Sequence, residues 1–204
     1  MKSNTALLEI LKEAKKVIPD ELYNNSLNDL ENTLIENIRE EVAKSKGNKN
    51  PLKVVKDIMK DNNKTSSKQS LFNYHEFEYK GNIYKGFTNN CYCVASYDDF
   101  GYKKEEDSVL RMNQIFEEYE NTDKEFEIDI KDLKTFIKLH GKEKIPYILE
   151  KEDFKIAFNP KYLLNVISFT ENNIIKVNKS ITPAYTYSED MSKIALVLPI
   201  KINN

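Results

Sequence analysis

Apolar residues recur at helical spacing through the first third of the chain and switch to strand-like spacing after it. Leu7, Leu8, Leu11, Ala14 and Ile18 predict an amphipathic helix over Thr5–Ile18, stopped by Pro19. Leu27, Leu30, Leu34, Ile38 and Val42 predict a second over Ser26–Ala43, with Ser26 as its cap. The polar run 44–50 breaks the pattern, and Pro51 opens a short helix through Met59. Residues 61–70 hold no apolar side chain and read as a loop or linker.

From Leu71 the spacing changes. Phe72, Tyr74, Phe77 and Tyr79 crowd a β-type stretch. Lys80-Gly-Asn82 supplies a turn, and 83–97 continues as strand. Residues 98–120 are acidic and partly helical, with Val109, Met112, Ile115, Phe116 and Tyr119 as an apolar face. A strand is expected over 125–128 and a helix over 130–140, ended by Gly141. Strands at 145–149 and 154–158 flank the polar turn 150–153. Asn159 caps the next helix and Pro160 takes its first position. Strands follow at 174–177, 184–187 and 194–202. The tail from 124 therefore reads β-α-β, then β-α-β-β-β, and 71–97 fits an earlier unit whose helix lies in the first 60 residues. The class is α+β, with a mainly helical segment over 1–65 and the strand-rich domain over 66–204.

Composition narrows the function. The formal net charge is −2, with acids and bases nearly balanced, so coating nucleic acid by bulk charge is excluded. No apolar run approaches the roughly 18 residues of a membrane span. The N-terminus lacks the apolar core of a signal peptide, which points to the cytoplasm. Cys91 and Cys93 are too few for a disulfide framework or a zinc site, and C-x-C spacing puts both on one face of a strand. Two reduced, packed thiols are the plain reading. His75 and His140 stand alone, and no phosphate-loop, zinc-protease or nucleophile-elbow motif occurs. No catalytic residue, metal or cofactor is expected.

Two segments carry more. Phe154-Lys-Ile-Ala-Phe-Asn-Pro-Lys-Tyr-Leu-Leu-Asn-Val-Ile167 and Ala195-Leu-Val-Leu-Pro-Ile-Lys-Ile202 resemble the closing unit of the bacterial DNA polymerase III beta sliding clamp family. There an I-x-F-N-x-x-Y-L-L junction leads to a terminal L-x-M-P-x-R-L strand. The hairpin over 75–96 is similar in pattern, although Asn89, Asn90, Cys91 and Tyr92 replace the family's D-G-H-R. The resemblance implies a DNA-clamp-like fold of repeated βαβββ units behind the helical N-terminal segment. It implies double-stranded DNA as a non-specific partner, and DNA polymerase or other replication proteins as peptide partners. It also implies a homo-oligomer if a ring closes.

Lys131, Lys134, Lys138 and Lys142 fall on one helical stripe, at i, i+3, i+7 and i+11. Such amines suit a phosphate backbone without reading bases, and equally suit a solvated helix face. Lys161, Asn165 and Ser168 are the comparable outward set on the next helix. By position in the family, Leu196, Leu198, Pro199 and Ile200 border the peptide groove, with Leu198 in the place of methionine. Three roles remain open: a processivity clamp on DNA, a clamp-fold protein-binding module that encircles nothing (of the kind a mobile element can carry), or a chain whose N-terminal helices pair with another helical protein.

Overall fold

The computed structural model describes residues 2–18, 25–45, 50–65, 69–106, 110–119, 122–141, 143 and 145–202. The chain divides into two compact units, 1–50 and 51–204.

In the first unit, α1 (Lys2–Val17) and α2 (Asn25–Ser45) pack against one another. Asn4 donates to Glu41 at 3.2 Å, and Lys15 reaches Glu31 at 3.3 Å, which fixes an antiparallel register.

The second unit opens with α3 (Pro51–Thr65), which runs past the expected end at Met59. The polar stretch stays helical because Asn62 is buried and useful there. Its amide donates to the carbonyls of Leu71 (2.7 Å) and Thr88 (2.9 Å). A 3₁₀ turn (Gln69–Phe72) then leads into β1 (His75–Tyr79), β2 (Asn82–Thr88) and β3 (Tyr92–Ser96). The single strand expected over 83–97 is thus broken. Asn89 accepts from the backbone of Cys91 and Tyr92, and Asn90 takes φ +67°, so the two asparagines make a tight turn. Cys91 consequently sits exposed in that turn, and only Cys93 lies on the strand.

The chain continues through α4 (Met112–Tyr119), β4 (Lys124–Glu127), α5 (Ile130–His140), β5 (Tyr147–Lys151), β6 (Phe154–Phe158) and α6 (Pro160–Thr170). It closes with β7 (Ile174–Val177), β8 (Ala184–Tyr187), β9 (Lys193–Val197) and β10 (Pro199–Ile200). One sheet has seven strands in the order β1-β2-β3-β9-β8-β7-β4, and the other has three, β10-β6-β5.

The first six positions of the large sheet form a palindrome. α3 is followed by β1-β2-β3, α6 by β7-β8-β9, and the two series meet antiparallel where Val94 faces Ala195. The sequence carries the same repeat. Asn50-Pro51 and Asn159-Pro160 open the two helices, and Val54, Val55 and Ile58 match Leu163, Leu164 and Ile167 in spacing from the proline.

Strand alternation sends side chains to two cores. On one face Phe87, Tyr92, Val94, Val177 and Val197 meet α3, α6 and Leu133 of α5. On the other, Phe77, Tyr79, Tyr84, Tyr185 and Leu196 meet Met112 and Phe116 of α4. The Phe116 ring stacks on Phe77 at 5.6 Å and 4°.

Candidate functional site: an apolar groove and a lysine-bearing helix layer

The terminal strand expected over 194–202 is two strands in two sheets. β9 lies inside the large sheet, between β3 and β8. At Leu198 the chain crosses over, its N–H donating to the Cys91 carbonyl at 2.9 Å. β10 then pairs with β6, setting Pro199 opposite Phe158 and Ile200 opposite Ala157. Proline is tolerated because β10 is an edge strand.

This crossing separates the four residues expected to border a peptide groove. Leu196 and Leu198 lie in one cavity of about 190 Å³, with Cys93, Met112, Phe116 and Pro183. Pro199 and Ile200 belong to the edge of the small sheet. Leu196 is buried as part of the floor, whereas Leu198 is 46% exposed at the rim. The divergent turn contributes too, since Thr88 and Asn90 line the same cavity. Among the described residues, the lining holds no carboxylate, amine or guanidinium. An apolar side chain entering it meets apolar surface and loses water on both sides.

Helix α4 makes the far wall. It can sit close because β2 carries Gly86 beneath it, where a Cβ would lie 2.7 Å from the Met112 Cε. Helical spacing signalled an apolar face at Met112, Ile115 and Phe116, but only the fold shows that this face builds a groove.

Cys93 is half-buried here, and desolvation pushes its thiol far above the ordinary range. Cys91 is also raised, by partial burial and then by the nearby Asp61 carboxylate. Among the described residues, no group of three or more His, Cys, Asp or Glu is placed to hold a metal ion. His75 is buried on β1, and His140 lies 3.2 Å from Glu143.

The opposite face of the sheet carries the helices. α3 and α5 each pack against α6. This overturns the outward set expected on α6. Asn165 and Ser168 are buried, and Lys161 alone of the three is exposed. Three helices in a layer leave the middle one no free face. Lys131, Lys134 and Lys138 are exposed along α5, while Lys142 lies outside the described residues.

A second row was missed. Lys53, Lys56, Lys60 and Lys64 are all exposed on α3. Their spacing is again i, i+3, i+7 and i+11, identical to that expected on α5. Ending the expected helix at Met59 cut this row short at Lys56. Both rows are interrupted by carboxylates, Asp57 and Asp61 on α3 and Asp132 on α5.

The palindromic sheet and its helix layer have a counterpart among solved structures. The Helicobacter pylori beta clamp, in complex with 3,4-difluorobenzamide, superposes with a TM-score of 0.53 at 13% identity, over 74% of this chain and 64% of that one. The fold is that of a beta sliding clamp. A DNA polymerase III beta subunit from Thermotoga maritima follows at TM-score 0.46 and 11% identity, over 66% of this chain and 58% of that one. A Helicobacter pylori beta clamp bound to a DNA ligase peptide gives 0.40 and 14%, over 58% and 41%. The clamp-fold chain spans less than two-thirds of the length of each. No protein-family model matches it, and no curated protein matches it. Among the described residues, no helix of this clamp-fold chain is long and apolar enough to cross a membrane.

Proposed function

We propose that this chain is a clamp-fold protein-binding module without catalytic activity, which takes a short linear peptide of a replication protein into the groove under α4. The observation that carries this reading is the groove itself. It is apolar, it is open at Leu198, and it is built where the chain crosses between sheets. A peptide offering an apolar side chain to Leu196, Met112 and Phe116 fills it without burying a charge. The beta clamp of Helicobacter pylori has been solved with a DNA ligase peptide bound. DNA polymerase and ligase peptides are therefore the first partners to try.

Fluorescence polarisation of a labelled DNA ligase peptide tests it. Saturable binding to the native chain is expected, weakened by about tenfold or more in Leu198→Glu. Leu198 is half exposed, so this variant keeps its circular dichroism spectrum. Binding that ignores Leu198→Glu, or no binding of polymerase and ligase peptides, sinks the reading.

A second reading, non-specific contact with double-stranded DNA, is favoured by the matching lysine rows on α3 and α5. Contact through phosphates makes binding fall steeply with salt, by about 0.9 log units per log unit of salt for each phosphate engaged. Gel shifts of a plain duplex should be lost in Lys53→Glu/Lys56→Glu and in Lys131→Glu/Lys138→Glu. Retention in both excludes the helix layer as a DNA surface.

A further inference from the structure

The groove lining carries no charge among the described residues, so a peptide's charged side chains are sorted where the peptide leaves the rim. At that rim the Leu198 N–H donates to the Cys91 carbonyl at 2.9 Å, which joins the rim and the 89–91 turn into one surface. Asn89 ties the turn to α3. Its Oδ1 accepts from the N–H groups of Cys91 (3.0 Å) and Tyr92 (3.1 Å), and its amide donates to the Asp61 carboxylate at 3.4 Å. The Tyr92 ring lies 4.9 Å from that of Tyr162, which is half-buried in the first turn of α6. Cys91, Tyr162 and Asp61 therefore adjoin one another just outside the groove, with Cys91 exposed.

This patch is acidic. Asp57 lies one turn before Asp61 on α3, and both are half-buried, whereas the α3 lysines are exposed. Burial first, and then the Asp61 carboxylate, raise the pKa of Cys91 and of Tyr162, and both carboxylates add to the effect of burial at Tyr92. The negative field thus covers the whole patch, and the bond from the neutral Asn89 amide leaves it in place. Partly buried charges are screened by salt less than exposed ones. A cation arriving here also meets the Tyr162 ring, whose face attracts ammonium and guanidinium groups. Lys161, exposed on the same turn, sets the opposite preference if it dominates, so the sign is measurable.

On the reading that the groove takes a linear peptide, we infer that this peptide carries a lysine or arginine beside its apolar anchor, held by Asp61 and Asp57 against the Tyr162 ring. Leu196, Met112 and Phe116 take the anchor, and the acidic patch selects among peptides that share it.

Fluorescence polarisation with three forms of the labelled DNA ligase peptide tests this, carrying two lysines, two alanines or two glutamates at each end. The lysine form should bind tightest and the glutamate form weakest. Lysine and alanine forms should differ by about threefold or more at low salt, and by less at high salt. Asp57→Asn/Asp61→Asn should bring the lysine form to the affinity of the alanine form and leave the alanine form unchanged. Asparagine keeps an acceptor for Asn89, so the turn and the circular dichroism spectrum are retained. Equal affinity for the three forms, a preference for glutamate, or a lysine preference that survives in the double variant overturns the inference while the groove reading stands. An alanine form that does not bind, or that ignores Leu198→Glu, overturns both.

Discussion

The side-chain amide of Asn165 donates a 2.8 Å hydrogen bond to the phenol oxygen of Tyr92, tying the middle of α6 to β3. Both residues are buried. Burial drives the Tyr92 phenol far above its ordinary range, and the amide partly opposes that shift. Tyr92→Phe removes the acceptor from a site closed to water. Urea unfolding should show a loss of about 1–3 kcal/mol at unchanged slope.

Gly86 lies under Met112 with no space for a methyl group. The nearest atoms are the flexible end of Met112 and the edge of Phe77, so these side chains must move to admit a larger one. Gly86→Val should cost about 1–3 kcal/mol by overpacking. It should also weaken peptide binding, because the Met112 side chain that must move lines the groove.

The two thiols should differ in reactivity. Cys91 is exposed in its turn and Cys93 is half-buried on the groove floor, and burial disfavours the reactive thiolate most strongly at Cys93. Iodoacetamide followed by mass spectrometry should build up a singly alkylated chain labelled at Cys91. A peptide in the groove should slow Cys93 further, and denaturant should make the rates equal. Equal rates in the folded chain would place Cys93 outside the groove floor.

Asp190 holds the β8–β9 turn. Its carboxylate accepts from the Ser188 hydroxyl at 2.6 Å, the Ser192 hydroxyl at 2.8 Å and the Ser192 N–H at 3.0 Å. These bonds, led by that from Ser188, lower its pKa to about 2. An ordinary aspartate titrates near 3.9. The folded state therefore holds this proton less tightly than the unfolded state. The stabilisation is full above about pH 4 and fades as pH falls toward 2. Denaturation midpoints measured across that window should fall more steeply for the native chain than for Asp190→Asn. The group is largely solvated, so the difference is small.

Much of this architecture is written locally, and what escaped is mostly non-local. The junction from Phe154 to Ile167 is legible because Asn159 and Pro160 announce a helix start, and the structure shows Asn159 capping Lys161 N–H at 3.0 Å. The α+β class and the helix–strand order follow from periodicity alone. The crossover at Leu198 does not, since one apolar run serves two sheets and only the partners β3 and β6 tell its halves apart. Asn165 and Ser168 look like surface residues by type. They are buried because α3, more than a hundred residues earlier, packs on their helix. The turn at Asn89–Asn90 and the lysine row of α3 carried local signals that aromatic crowding and an assumed loop concealed.

The meeting of β3 with β9 also bears on how the molecule is made. Val94 waits for Ala195, about 100 residues downstream, so the centre of the large sheet is its longest-range pairing. Until β9 has been synthesised, β3 is an open edge carrying Tyr92, Val94 and Ala95. A nascent chain stalled before that point exposes an aggregation-prone strand in mid-sheet. Folding should accordingly be slow and dependent on chaperones, with β9 docking as the step that commits the domain.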